Sequence, residues 1–142
     1  MKKIYLTTPL YYVNDKPHIG HAYTTILADV LTRYHKLIGK DVFFLTGTDE
    51  HGQKVQEAAL KLKTTPKKHV DKFHKNYIDL WEKLNIKYDK FIRTTDKNHV
   101  EKVKKVLQTL WDKEEIYLDE YEGLYSVSEE RFITEKEYEE GD

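Results

Sequence analysis

Ile4-Tyr5-Leu6-Thr7-Thr8, then His18-Ile19-Gly20-His21 opening a periodic run to Ile38, then Val42-Phe43-Phe44-Leu45 is the stretch that decides the fold. The first run is rich in β-formers and is stopped by Pro9, which predicts a strand. Asn14-Asp15-Lys16-Pro17 is turn chemistry. From His18 the period changes: Ala22, Ile26, Leu27, Val30, Leu31, Tyr34, Leu37 and Ile38 share one side of a helix, and Gly39 is a left-handed stop. Val42 to Leu45 lacks polar alternation, as a strand buried on both faces does. Strand, helix, strand makes a βαβ unit, hence an α/β fold with a parallel sheet and flanking helices.

Outward from this unit, a helix is predicted from Gln53 to about Lys63. Thr65-Pro66 then supplies an N-cap and a proline at the first helical position. The helix they open carries Val70, Phe73, Tyr77, Leu80, Trp81 and Leu84 on one side. Tyr88 to Thr94 reads as a strand, and Asp96 to Lys113 as a helix with Val100, Val103, Val106, Leu107, Leu110 and Trp111 as its stripe. Trp81 and Trp111 are expected in the core. From Ile116 the pattern turns short and β-like, and the last ten residues are mostly charged. The expected organisation is therefore 1–115 and 116–142.

Lys plus Arg number 24 against 25 Asp plus Glu, so no whole-molecule field draws the chain to nucleic acid. There is no cysteine, which excludes disulfides and thiolate metal sites. Met1 to Thr8 does not read as a secretory leader, and no run approaches the roughly 18 apolar residues of a membrane span. The expectation is a cytoplasmic chain with no membrane partner. His35, His69, His74 and His99 read as solvated or satisfied structural histidines. The lysine runs 61–68 and 97–105 read as helix surface.

Ligands of an open parallel sheet bind beyond the carboxyl ends of its strands. Loop 9–21 follows the first strand and Thr46 to Gly52 the second, so both open on one rim. Tyr12, Asn14, His18, His21, Thr48, Asp49, Glu50, His51 and Gln53 gather there. His18 and His21 share one face of a helix's first turn. The unpaired N–H groups and partial positive charge of such a turn suit an anion. Gly20 lets a ligand approach the backbone, and Pro17 fixes the direction of the chain. A phosphate site is one reading. With Asp49, Glu50 and His51 close by, a divalent-metal cluster is another.

His18-Ile19-Gly20-His21 resembles the signature of class I aminoacyl-tRNA synthetases. Thr7-Thr8-Pro9-Leu10-Tyr11-Tyr12-Val13-Asn14 before it, and Phe44-Leu45-Thr46-Gly47-Thr48-Asp49-Glu50-His51-Gly52-Gln53-Lys54 after it, resemble the methionyl family. The resemblance runs from about Lys3 to Gly141. It implies the first half of a Rossmann-like (HUP-type) catalytic domain and the start of a small β-rich inserted domain, with the chain stopping inside that insertion.

The same resemblance implies ATP-dependent activation of methionine to methionyl-adenylate, with Mg2+, and transfer to tRNA(Met). The remaining C-terminal part of the enzyme is a further implied partner. His18 and His21 would hold the ATP phosphates and stabilise the transition state, with Asn14 and Gly20 in the same nucleotide loop. Asp49 would bind the α-ammonium of methionine, and Leu10 and Tyr12 would line its side-chain pocket. Glu50 and His51 either brace the loop or touch ligand.

Two departures stand out. Where many members carry a Cys-x-x-Cys zinc knuckle, this chain has Ser126 and Glu129, so no zinc is expected there. The Lys-Met-Ser-Lys-Ser loop of the family's second half does not occur, so the chain alone is expected to be inactive. Two further readings come from other classes. A small His-x-Gly-His nucleotidyltransferase usually has Gly-x-Phe-Asp-Pro where this chain has Pro-Leu-Tyr-Tyr-Val-Asn. A non-catalytic RNA-binding or assembly module needs a basic face, against which the charge balance argues.

Overall fold

The sheet is built on β3 (Asp41–Asp49). In this computed structural model, which describes residues 3–134 and 137, β1 (Lys3–Thr7) pairs with β3 in parallel, from Lys3↔Asp41 to Thr7↔Leu45. Further along the same edge, β2 (Tyr11–Tyr12) sets Tyr11 against Thr48 and Tyr12 against Asp49. On the other edge β4 (Lys90–Arg93) runs parallel from Leu45↔Lys90 to Thr48↔Arg93. The pairings of β1, β2 and β4 with β3 are all parallel, as the βαβ pattern requires. β3 is longer than the sequence predicts, because pairing to β2 and β4 carries it on to Asp49. Gly47 makes this possible: a Cβ there would run into the Ile92 carbonyl oxygen.

The helices are α1 (Ile19–Leu37), α2 (Gln53–Lys61), α3 (Pro66–Lys83) and α4 (Lys97–Asp112). Each lies within about two residues of its predicted bounds, the usual uncertainty of helix ends. Thr65 caps α3 by accepting from the Lys68 N–H at 3.3 Å, with Pro66 at the first position. Gly39, at φ 77, ends α1 in the left-handed region. The core gathers Val13, Ala28, Phe44, Val55, Val70, Tyr77, Trp81 and Ile86. Trp81 is fully buried as expected, and α3 faces inward on the residues its period marks.

Three expectations need correction. First, the apolar stripe of α1 faces out: Ile26, Leu27, Val30, Leu31, Tyr34, Leu37 and Ile38 are all exposed, Leu37 at 88%. The buried side is Thr25, Ala28, Asp29 and Thr32. Small side chains let the helix approach closely, and the polar ones are satisfied. Thr25 Oγ1 donates to the His21 carbonyl at 2.9 Å and Thr32 Oγ1 to the Ala28 carbonyl at 2.8 Å. Asp29 accepts from Arg33 Nε at 2.6 Å and from the Lys87 N–H at 2.8 Å. Second, β3 is covered on both faces only at Thr46, Gly47 and Thr48; Phe43 is exposed and stacks on Tyr5 at 5.9 Å. Third, no residue of α4 is buried, and Trp111 is 53% exposed rather than core.

The chain divides into two compact units, Met1–Lys102 and Val103–Asp142. In the second, β5 (Leu124–Ser126) and β6 (Arg131–Ile133) form an antiparallel hairpin. Tyr121 and Tyr125 pack edge-on against Phe132 at 4.7 and 5.3 Å. Ser126 Oγ accepts from the Glu129 N–H at 3.3 Å, and Arg131 Nε binds Glu129 at 2.6 Å. Hydrogen bonds thus close the turn where relatives of the resemblance would place metal ligands. The charged end lies mostly outside the described residues. Among those residues, no helix is long and apolar enough to cross a membrane.

Candidate active site

The two histidines cap their own helix. His18 is the N-cap of α1 in extended backbone, φ −118 and ψ 179. Its Nδ1 accepts from the Gly20 N–H at 3.1 Å, and His21 Nδ1 accepts from the His18 N–H at 3.1 Å. This reciprocal arrangement satisfies orphan donors of the first turn with imidazoles, where Ser/Thr and Glu usually serve. The rings stack with centroids 3.8 Å apart. A Cβ on Gly20 would meet the His18 ring at 2.9 Å, so the glycine serves the cap as well as any ligand.

The cap fixes a tautomer. Because each Nδ1 receives a backbone proton, a neutral ring carries its own proton on Nε2. Both imidazoles therefore offer an Nε2–H donor, at the end of α1 that already favours anions. Burial, and next the charge of His18, hold His21 below the ordinary imidazole value. The Tyr11 ring meets His21 edge-on at 4.7 Å, and the Tyr11 hydroxyl bonds Thr25 Oγ1 at 2.9 Å.

β2 carries the rim from His21 to Asp49. Tyr11 is buried and Tyr12 exposed, the period-two alternation of a strand. Tyr12 is the register partner of Asp49, and the Val13 N–H donates to the Asp49 carbonyl at 3.3 Å. Leu10 is exposed just before the strand and Asn14 is exposed in the turn after it. β2 thus meets His21 through the Tyr11 ring and Asp49 through the register of Tyr12, with Leu10 and Asn14 exposed on either side of the strand.

Two neighbours divide differently. Glu50 turns inward and its side chain is fully buried, accepting from Arg93 Nε at 2.7 Å, Arg93 Nη2 at 3.0 Å, Thr48 Oγ1 at 2.9 Å and the Thr95 hydroxyl. Burial alone would raise its pKa; the bonds from Arg93, Thr95 and Thr48 outweigh that and hold it below the ordinary carboxylate range. Glu50 is a brace. His51 stays exposed. Among the described residues no group of three or more His, Asp or Glu is arranged to hold a metal ion.

Sequence reasoning missed the clamp that α3 puts on this rim. Tyr77 OH donates to the Tyr12 carbonyl at 2.9 Å, and His69 Nε2 meets the Val13 carbonyl at 2.8 Å. A carbonyl only accepts, so His69 carries its proton on Nε2. Burial, then the charges of Asp15 and Tyr11, push the Tyr77 phenol up to about 12, so it remains a donor. His74 bonds the Val70 carbonyl, satisfied as expected. His69 is fully buried against Phe73 with its Nε2 bonded, but its Nδ1, like that of His35, is buried without a hydrogen-bond partner among the described residues. Arg93 and Thr94 read only as part of a strand, since nothing local marks a residue whose partners lie more than 20 positions away.

Residues 4–141 match the family described as tRNA synthetases class I (M). The chain belongs to the class I methionyl-tRNA synthetase family. It is 52% identical over 134 residues to methionine–tRNA ligase 1 of Bacillus cereus, covering 94% of this chain and 20% of that protein. The Streptococcus pyogenes methionine–tRNA ligase is 53% identical over 139 residues, 98% of this chain and 21% of that protein. The methionyl-tRNA synthetase of Mycobacterium tuberculosis, solved in complex with methionyl-adenylate, superposes with a TM-score of 0.91 at 44% identity. The match covers 96% of this chain and 27% of that one. The chain thus spans about a fifth of the length of its curated methionyl-tRNA synthetase relatives. The synthetase fold is the Rossmann-like α/β sheet expected from the sequence.

Proposed function

We propose that this chain is part of a methionine–tRNA ligase, which joins methionine to ATP as methionyl-adenylate and then transfers it to tRNA(Met). The observation that carries this is the pair of Nε2–H donors fixed by the α1 cap. Adenylate formation is in-line: a methionine carboxylate oxygen bonds to the α-phosphorus as the bond to pyrophosphate breaks. Charge builds on phosphate oxygens, where preorganised neutral donors stabilise the transition state most. His18 and His21 give those donors, with Asn14 and the Gly20 backbone in the same nucleotide loop. Asp49 pairs with the α-ammonium, which an amide would leave poorly neutralised. Leu10 and Tyr12 flank the thioether, a polarizable group favoured beside an aromatic ring.

Mg2+ accompanies the triphosphate as its counter-ion, and the Ser126/Glu129 turn takes no zinc. Residues 1–115 form the first half of the catalytic domain and 116–142 begin an insertion. The remaining part of the same polypeptide covers the outward stripe of α1 and the open Tyr5–Phe43 face, both too apolar to stay bare in a finished enzyme. The cytoplasm, where translation uses charged tRNA, is the compartment this reading implies.

The test is methionine-dependent ATP–pyrophosphate exchange. The full-length protein should exchange and the 142-residue chain should not. In the full-length protein His21→Ala should slow adenylation by about a hundred- to thousandfold, roughly 3–4 kcal/mol. Methionine affinity should change far less. A loss confined to affinity would refute the role given to His21, and exchange by the short chain alone would refute the need for a second half.

A further inference from the structure

The end of β3 carries two carboxylates in succession, and the strand beside it treats them differently. Glu50 has its lone pairs filled by Arg93, Thr48 and Thr95. Arg93 Nη2 also reaches Asp71 Oδ1 on α3 at 2.6 Å, so the ion pair ties β3, β4 and α3 together. The next residue, Thr94, follows the end of β4. Its N–H donates to the Thr48 carbonyl at 3.2 Å, and its Oγ1 accepts from the Glu50 N–H at 2.8 Å. A hydroxyl that accepts from an N–H still has its own proton to give. Asp49 Oδ1 lies 3.4 Å from that Oγ1, and the His51 N–H points to the same oxygen at 3.4 Å.

Both contacts are long for hydrogen bonds. They hold the direction of the carboxylate more than they neutralise it. Both converge on Oδ1, which fixes the plane of the carboxylate.

We propose that Thr94 is a positioning residue for Asp49: its hydroxyl, anchored on the Glu50 backbone and held in place by the Arg93–Glu50 pair, aims the Asp49 carboxylate at the substrate's ammonium group. The inference rests on the methionine reading of the site and adds to it a residue with no ligand contact of its own. Thr94 acts on one group of the substrate, the amine. It has no part in holding the thioether side chain or the phosphates.

Two competitive inhibitors of exchange separate these roles in the full-length enzyme. One is methioninol, which keeps the amine; the other is 4-(methylthio)butan-1-ol, which has the same chain without it. Thr94→Val should weaken methioninol about tenfold, raise KM for methionine to match, and leave kcat and the amine-free alcohol within twofold. Thr94→Ser, which keeps the hydroxyl, should restore methioninol binding. If Thr94→Val does not fold, Thr94→Ala carries the same expectation. Equal weakening of both alcohols, no weakening of either, or failure of serine to restore binding overturns the role of Thr94. A wild-type full-length protein without methionine-dependent exchange overturns the functional reading first, and this inference with it.

Discussion

α1 and α3 carry the same kind of apolar stripe and use it in opposite ways. α3 turns Val70, Tyr77 and Trp81 into the core and its polar side to solvent. α1 packs Thr25, Ala28, Asp29 and Thr32 inward and leaves its larger apolar residues bare. A period of 3.6 residues says that one face of a helix is built to be covered; it does not say by what. In α3 the cover comes from this chain: α2 packs beside it, and the Tyr11 ring of β2 meets Tyr77 and Trp81. In α1 the sheet is met by small, internally satisfied side chains, so the stripe is left for another surface.

The contrast is sharpest where the largest effects are expected. Trp81→Ala should lower the unfolding free energy of the 142-residue chain by about 3–5 kcal/mol. Leu27→Ala, on the bare stripe, should change it by less than about 0.5 kcal/mol. Urea titration of both variants measures this, and equal losses would mean that α1 is covered in the short chain. In the full-length protein Leu27→Ala should become costly, about 2 kcal/mol or more.

Next come the tyrosines. Tyr77→Phe removes the hydrogen bond to the Tyr12 carbonyl and should cost about 0.5–1.5 kcal/mol, whereas Tyr34→Phe, on the exposed side of α1, should be silent by the same titration.

Protons should separate the start of α1 from the brace beside α3. His21 is held below the ordinary imidazole value, so the unfolded chain takes up that proton first. Stability should therefore begin to fall as pH drops below about 6.5. Glu50 and Asp71 are held below the ordinary carboxylate range. Glu50 is held there by Arg93, Thr95 and Thr48 against the cost of burial, and Asp71 by Lys67 and Arg93. Their contribution is complete above about pH 4.5 and is lost as pH falls through the folded values. Urea midpoints between pH 7 and 3 should show two descents: His21→Gln should remove the upper one and Glu50→Gln the lower. A His21→Gln curve identical to wild type would contradict the burial of that ring.

The smallest effects should erase the contrast. Lys36 on α1 meets Asp89 at 3.3 Å and Lys67 on α3 meets Asp71 at 2.7 Å, both near the surface. Replacing either lysine by alanine should cost no more than about 0.5 kcal/mol, with no difference between the helices. Thermal melts of the two variants are a sufficient check.

Much of the candidate site was legible because its signals are local. The turn at Asn14-Asp15-Lys16-Pro17, the histidines three apart at a helix start and the strand ending in Thr-Gly-Thr-Asp each act within a few residues, and the rule that ligands gather beyond parallel strands joined them. Glu50 shows the limit. Beside Asp49 in sequence it is chemically its twin, and only the arrival of Arg93 turns one into a buried brace and leaves the other on the rim. Trp111 shows the same limit from the apolar side. Its spacing matches that of Trp81, yet one ring is core and the other open.

By itself, then, the sequence determined the four helices, the parallel β1–β3 core of the sheet and the family, because period, caps and turn residues act through the nearest neighbours in the chain. It missed β2 and placed β-like structure at 116–121, where none forms. Tertiary structure alone decided which faces are buried and the bonds of Arg93, Thr94 and Tyr77 to Glu50 and the Tyr12 carbonyl. Those depend on groups brought together across tens of residues, where a single donor or a close approach at Gly47 selects one arrangement from several that the chain would otherwise allow.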